Sequence, residues 1–174
     1  MSATTHSILE NDHASAWLGL EVLKLGPGHA TTRMTLRKEM LNGFGIAHGG
    51  MIFAFADSTF ALACNPAAGS EHSITVASGV DINFIKPAHE GQVITAIADR
   101  RAHAGRSGIY DIQLFAADPS KVTNGSVNNG SASSGTATND GGTPHSGTGT
   151  NTSGEPYGEL IAEFRGRSRT ISKK

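Results

Sequence analysis

The order of apolar and polar positions divides the chain into one helix, several strands and one stretch that fits neither. Gly49 to Asn65 (GGMIFAFADSTFALACN) is long, alanine-rich and apolar on nearly every side, and Pro66 stops it. That pattern predicts a buried helix. Strand patterns flank it. Leu20 to Leu25 and Ala30 to Arg37 surround the turn Gly26-Pro27-Gly28, and Ser73 to Ile85, Gln92 to His103 and Gly108 to Ala117 follow the helix. In the last of these, Ile109, Asp111, Gln113 and Phe115 alternate with Tyr110, Ile112 and Leu114, the period of a strand. His6 to Gly19 suggests a short helix leading to Trp17, and Met40 to His48 a glycine-bearing loop. One buried helix followed by consecutive antiparallel strands predicts an α+β fold, a sheet wrapped round a central helix.

Asp118 to Pro156 breaks the pattern. Of its 39 residues, 8 are Gly, 7 Ser, 7 Thr and 5 Asn, and its only hydrophobic residues are Val122, Val127, Ala132 and Ala137. So little apolar surface cannot offset the entropy cost of ordering, and a flexible tether is expected there. Tyr157 to Lys174 is too short for a core of its own, yet Leu160, Ala162 and Phe164 alternate with Ile161, Glu163 and Arg165 as in a strand. The simplest account is one domain, residues 1–174, with a β-hairpin loop swollen by the 118–156 insertion. Loop-closure cost grows only logarithmically with length, so such an insertion is tolerable.

Composition narrows the partners. Fourteen Lys and Arg against 15 Asp and Glu leave a formal net charge of −1, which gives no electrostatic reason to expect nucleic acid or an anionic membrane. A single cysteine, Cys64, rules out an internal disulfide framework and a multi-cysteine metal site, and reads as a packed small residue on the helix. No apolar run approaches the roughly 18–20 residues that span a bilayer. The opening MSATTHSILENDHAS lacks a basic-then-apolar signal, so a cytoplasmic location is expected.

The helix carries the candidate chemistry. Asp57 is a carboxylate among Phe53, Ala54, Phe55, Ala56, Phe60 and Ala61. Buried charge is expensive unless it is paired or functional. Either Asp57 is a satisfied polar residue, bonded to Ser58, Thr59 or a capping amide, or it is a reacting group. At the helix start, His48-Gly49-Gly50 places two residues without a Cβ where free N–H groups meet a ligand, as an oxyanion hole requires. The plain alternative is a flexible glycine entry with His48 near the N-cap. Gly49 and Asp57 lie eight residues apart, about 12 Å along one helix axis. One helix cannot bring both to a single carbonyl carbon. Two antiparallel copies can, so a shared site predicts a two-fold dimer with two composite sites.

MLNGFGIAHGGMIFAFADSTFALACN resembles the signature of hotdog-fold acyl-CoA thioesterases of the phenylacetic acid degradation (PaaI) group. VASGVDINFIKPAHEGQVITAIADRRAHAGRSGIYDIQLF and the closing FRGRSRTI are similar to the same group, so the likeness covers nearly everything but the 118–156 insertion. The resemblance implies a hotdog fold, paired subunits that are usually a dimer of dimers, hydrolysis of acyl-CoA thioesters, and no metal or organic cofactor. It implies Asp57 as nucleophile or general base, the Gly49 N–H as oxyanion donor, and Asn42 and His48 as positioning groups for substrate or water. Gly50 would adjoin the substrate, and Ser78 falls where the group has a strand serine. The acyl group that the resemblance favours is phenylacetyl or a ring-hydroxylated relative. Coenzyme A brings phosphates, for which Lys86, Arg106, Arg165 and Arg167 are candidates, with Arg100, Arg101 and Arg169 as further basic groups. Alternating Arg165, Arg167 and Arg169 share one strand face, and a solvated charged face is the plain alternative.

Other chemistries lack their motifs. There is no G-x-S-x-G elbow, no H-E-x-x-H and no phosphate-binding P-loop. Two alternatives to hydrolysis stay open on the same fold: an acyl-thioester hydratase or dehydratase, and a non-catalytic acyl-CoA sensor. Crotonyl-CoA hydration would mark the first, and tight binding without thiol release the second.

Overall fold

The computed structural model describes residues 5–122 and 157–173. Among these residues, two helices and six strands follow one another along the chain. His13–Leu18 is α1, Glu21–Gly26 and His29–Thr35 are β1 and β2, and Gly49–Cys64 is α2. Ser73–Phe84, Val93–Ala104, Ser107–Ala117 and Glu159–Ser172 are β3 to β6. The strands form a single antiparallel sheet in the order β1-β2-β4-β5-β6-β3.

Three features differ from the sequence pattern. The helix expected over His6 to Gly19 is split into a 3-10 turn at Ser7–Asn11 and the short α1. The cause is local: Asp12 Oδ1 accepts from Ser15 N at 2.9 Å and starts a new helix, which Gly19 ends at φ 71°. Trp17, in α1, is exposed, and the Arg37 guanidinium lies 5.0 Å from its ring. The second difference is β3, which does not pair with β4 but crosses to the far edge beside β6. Ile85 and Lys86 leave that strand by donating their N–H groups to Ile161 O.

The third difference is α2 itself, which its apolar pattern predicts to be buried but which is buried on one side only. Ile52, Phe55, Ala56, Thr59, Phe60, Leu62 and Ala63 pack into the sheet, whose inner face supplies Ile94, Ala96, Ile112, Leu114 and Phe164. Gly166 on β6 makes room for Phe60, since a Cβ there would stand 2.7 Å from the Phe60 ring. The other side of α2, with Phe53, Ala54, Asp57, Ser58 and Ala61, is half-open. α2 runs opposite to β3. At one end the Asn65 side chain bonds both Thr75 N and Thr75 O, and at the other Gly49 meets Phe84.

β5 and β6 pair along most of their length. Of the insertion expected between them, Pro119–Lys121 forms a 3-10 turn, and residues 123–156 lie outside the described residues. Among the described residues no helix is long and apolar enough to cross a membrane.

Candidate active site

The entrance to α2 is organised by His48. Its backbone N–H donates to Met40 O at 2.9 Å, and the preceding Ala47 N–H donates to Ala88 O at 2.8 Å. In this position its Nδ1 accepts from Gly50 N at 2.9 Å, which places the ring proton on Nε2. Met51 and Ile52 both donate to His48 O. The first turn therefore has one donor left over: the Gly49 N–H has no partner among the described residues. Of the two glycines, Gly50 has committed its N–H to the cap and Gly49 has not.

Asn42 shapes the approach. Its Oδ1 accepts from Phe44 N at 2.9 Å and Ile46 N at 3.4 Å, while its backbone bonds Ile46 O and Gly45 N. The side-chain oxygen is thus committed to the loop, and Phe44 stands at its tip with 90% of its surface exposed. A residue that sequence reasoning did not single out completes the entrance. Phe84, at the end of β3, lies against Gly49 so closely that an added Cβ would come 3.0 Å from its Cζ. No local pattern signals a contact between residues so far apart in the chain.

Asp57 sits two turns further along α2, half-buried. Burial pushes its carboxyl above the usual carboxylate range. Its neighbours are engaged elsewhere: Ser58 Oγ accepts from Ser15 Oγ at 2.9 Å, and Thr59 Oγ1 donates to Phe55 O at 2.9 Å beside Thr32 Oγ1. Among the described residues Asp57 has no hydrogen-bond partner, so the satisfied-polar reading of this carboxylate has no bond to rest on. A desolvated carboxylate with free lone pairs is a base. Cys64, further along the helix, is no nucleophile; burial pushes its thiol up to about 12.

The remaining candidates are dispersed. Ser78 lies at a bulge of β3 and donates to Arg167 O at 2.9 Å. Lys86 pairs with Glu159. Arg165 makes a bidentate pair with Asp111, at 2.7 and 3.0 Å, and that hydrogen bonding pushes its guanidinium above the ordinary value. Arg167 pairs with Asp81 at 2.7 Å. Arg106, on the turn between β4 and β5, and Arg169 carry no acidic partner among the described residues. Their backbones are adjacent, since Thr170 N donates to Arg106 O at 2.8 Å. Among the described residues no group of three or more His, Cys, Asp or Glu side chains has the arrangement of a metal site.

A sheet wrapped round one helix is the hotdog architecture, and among the described residues the Gly49 N–H at the helix start and the Asp57 carboxylate on its open side have no partner. The chain belongs to the thioesterase superfamily, whose family model matches residues 44–123. It is 38% identical over 109 residues to the acyl-coenzyme A thioesterase PaaI of Escherichia coli (strain K12), covering 63% of this chain and 75% of that protein. The solved structure of the E. coli PaaI protein from the phenylacetic acid degradation operon superposes with a TM-score of 0.66 at 28% identity, covering 95% of this chain and 88% of that one. An asparagine-to-aspartate mutant of the phenylacetic acid degradation protein PaaI from Thermus thermophilus superposes with a TM-score of 0.62 at 25% identity, over 91% and 98% of the two chains.

Proposed function

We propose that this thioesterase hydrolyses acyl-CoA esters, phenylacetyl-CoA or a ring-hydroxylated relative, at two composite sites of a homodimer. Asp57 of one copy acts as general base and the Gly49 N–H of the other as oxyanion donor. The observation that carries the reading is Asp57 itself: a half-buried carboxylate whose pKa burial raises and which has no hydrogen-bond partner among the described residues, on the open side of the helix whose first N–H also has none among them.

The edge of the sheet supports the dimer. β3 ends the sheet and carries Ile74, Val76 and Phe84, with Ile85 following, all exposed large apolar residues. An unprotected apolar edge favours strand pairing. A two-fold axis beside β3 pairs it with the β3 of a second copy; because α2 runs opposite to β3, it also sets the two α2 helices antiparallel. Asp57 of each copy then faces Gly49 of the other, a meeting that their separation of about 12 Å along one helix forbids within a single chain. A further pairing into a dimer of dimers and a cytoplasmic location belong to the same reading.

In the reaction, Asp57 removes a proton from water as its oxygen bonds to the thioester carbonyl carbon. The carbonyl π electrons move to oxygen, where the Gly49 N–H of the second copy stabilises the charge. Collapse of the tetrahedral adduct breaks the C–S bond, and the protonated Asp57 returns its proton to the departing thiolate. A thioester is already activated, so one carboxylate and one donor suffice without a triad. His48 holds the Gly49 amide in aim through its cap, and Asn42 holds the loop before it. Ser78, whose hydroxyl is engaged by Arg167 O, borders the substrate rather than the reaction. Arg106 receives the phosphates of coenzyme A, with Lys86, Arg165 and Arg167 contributing field through their ion pairs.

The test is thiol release across a panel of aryl- and alkyl-CoA esters, with crotonyl-CoA hydration measured alongside. Phenylacetyl-CoA turnover with no hydration of crotonyl-CoA is expected. Hydration without thiol release would replace this reading by the hydratase. A single turnover in oxygen-18 water should label the released acid and leave Asp57 unlabelled; label in its side chain would make it the nucleophile.

A further inference from the structure

A cavity of about 610 Å3 opens at the C-terminal end of α2, within the size range of small-molecule sites. Ala61, one turn on from Asp57 along the same helix face, forms the wall nearest the carboxylate. Ile74 of β3 forms a side and Ser70 and Glu71 the far rim, and Ser7 and Ile8 from the N-terminal segment close it. Apart from Ile74, which lies on the β3 edge assigned to the dimer, none of these residues has a part in the site described above.

The N-terminal wall is built rather than draped. His6 is buried, at 2% exposure. Its Nδ1 accepts from Ile8 N at 3.2 Å, so Nε2 carries the proton and donates to Asn65 O at 3.2 Å. Ser7 N donates to Ala67 O at 2.8 Å. Gly69, at φ +76°, allows the close approach, since a Cβ there would stand 2.8 Å from Ser7 Oγ. Asn65 in turn donates to Ala61 O and bonds the Thr75 backbone, tying helix, strand and N-terminal segment into one frame.

We propose that the strap His6–Ile8 is a specificity-determining wall: it bounds the cavity into which the acyl group extends from the thioester carbonyl, past Ala61. The inference rests on the acyl-CoA reading above. An acyl group held there meets apolar flanks from Ile8, Ala61 and Ile74 and a polar far end at Ser7, Ser70 and Glu71. The fitting class is a compact acyl group with a flat apolar body, of which an arylacetyl group is the instance. His6 acts through the strap and is a positioning residue; Ile8 touches the substrate.

The experiment compares kcat/KM for phenylacetyl-CoA and acetyl-CoA in the full chain. His6→Ala, which frees the wall, and Ile8→Trp, which fills the cavity while keeping the His6 anchor, are each expected to lower the phenylacetyl-to-acetyl ratio at least tenfold. Melting curves accompany both, and Ile8→Trp carries the test if His6→Ala fails to fold. An active Ile8→Trp enzyme with a ratio within twofold of the wild type overturns the proposal and leaves the thioesterase reading standing. A wild-type protein that releases thiol from neither ester overturns both.

Discussion

The ring of Phe84 rests on Gly49, the first residue of α2, with only 3.0 Å between its Cζ and the place a Cβ would take. The contact joins the end of the edge strand to the free N–H that the mechanism assigns to the oxyanion. It also makes the donor separable from the space around it. An added Cβ asks that ring to give by only a few tenths of an ångström. Gly49→Ala keeps the N–H and should change kcat little. Gly49→Pro removes the N–H at a helix position that tolerates proline, after a His48 whose φ −67° and ψ 129° already suit a residue before proline. In a Phe84→Ala background, which gives the ring space, Gly49→Pro should lower kcat by roughly 10²–10³, the worth of one oxyanion donor. Steady-state thiol release checks it, and equal kcat for the two variants would remove Gly49 from the mechanism.

Asp57→Asn should lower kcat by about 10²–10⁴, the usual range for a lost general base. Stability should move the other way. Burial raises the Asp57 pKa in the folded state, so folding is unburdened below the unfolded value, where the group is protonated in both states. The burden appears as pH rises through the raised folded value and is complete above it. Asp57→Asn should therefore melt higher than the wild type at neutral pH, with the gain vanishing in acid below the ordinary aspartate range. The same shift places the acid limb of wild-type kcat above that range. Thermal melts and a pH–rate profile measure both.

Cys64 should resist alkylation in the native protein. Its thiol, pushed up to about 12 by burial, stays protonated at neutral pH, and it donates weakly to Ala61 O at 3.6 Å. Iodoacetamide labelling followed by mass spectrometry should be slow in buffer and fast in denaturant. Rapid native labelling would contradict the packing of the α2 end.

Coenzyme A recognition should divide the arginines. Arg165 and Arg167 are held by Asp111 and Asp81, whereas Arg106 has no acidic partner among the described residues. Arg106→Gln should raise KM about 3–10-fold with kcat nearly unchanged, the signature of lost uniform binding. Arg165→Gln should raise KM less. The reverse order would move the phosphate contact to the β5–β6 face.

Much of this is readable from the chain because it depends on neighbours in sequence. The apolar run to Pro66 marks α2, the alternation in Gly108 to Ala117 marks β5, and Asp57 stands out by its apolar company. What is not readable depends on partners distant in sequence or on one rotamer. The place of β3 at the sheet edge is set by pairing with β6, in the register Ser73 with Ser172 to Phe84 with Ala162, which no local period encodes. Two adjacent glycines look alike in sequence, and only the His48 rotamer, by capping Gly50, leaves Gly49 free. The arginine alternation shows a shared strand face but not the carboxylates of Asp111 and Asp81 across it. Likewise the continuous helix expected from His6 gives way to the Asp12 cap, which frees His6 to anchor the strap.

The central claim, that each site takes Asp57 from one copy and Gly49 from the other, is tested most directly by a mixed dimer. Asp57→Asn and Gly49→Pro chains, the latter in the Phe84→Ala background, are co-expressed with different tags, and the heterodimer is purified through both. Each parent homodimer should be nearly inactive. In the heterodimer one site carries both lesions, and the other takes Asp57 from one chain and Gly49 with an unaltered Phe84 from its partner, so about half the wild-type activity should return. A heterodimer as inactive as its parents would mean that each site draws Asp57 and Gly49 from one chain, and would contradict the shared site.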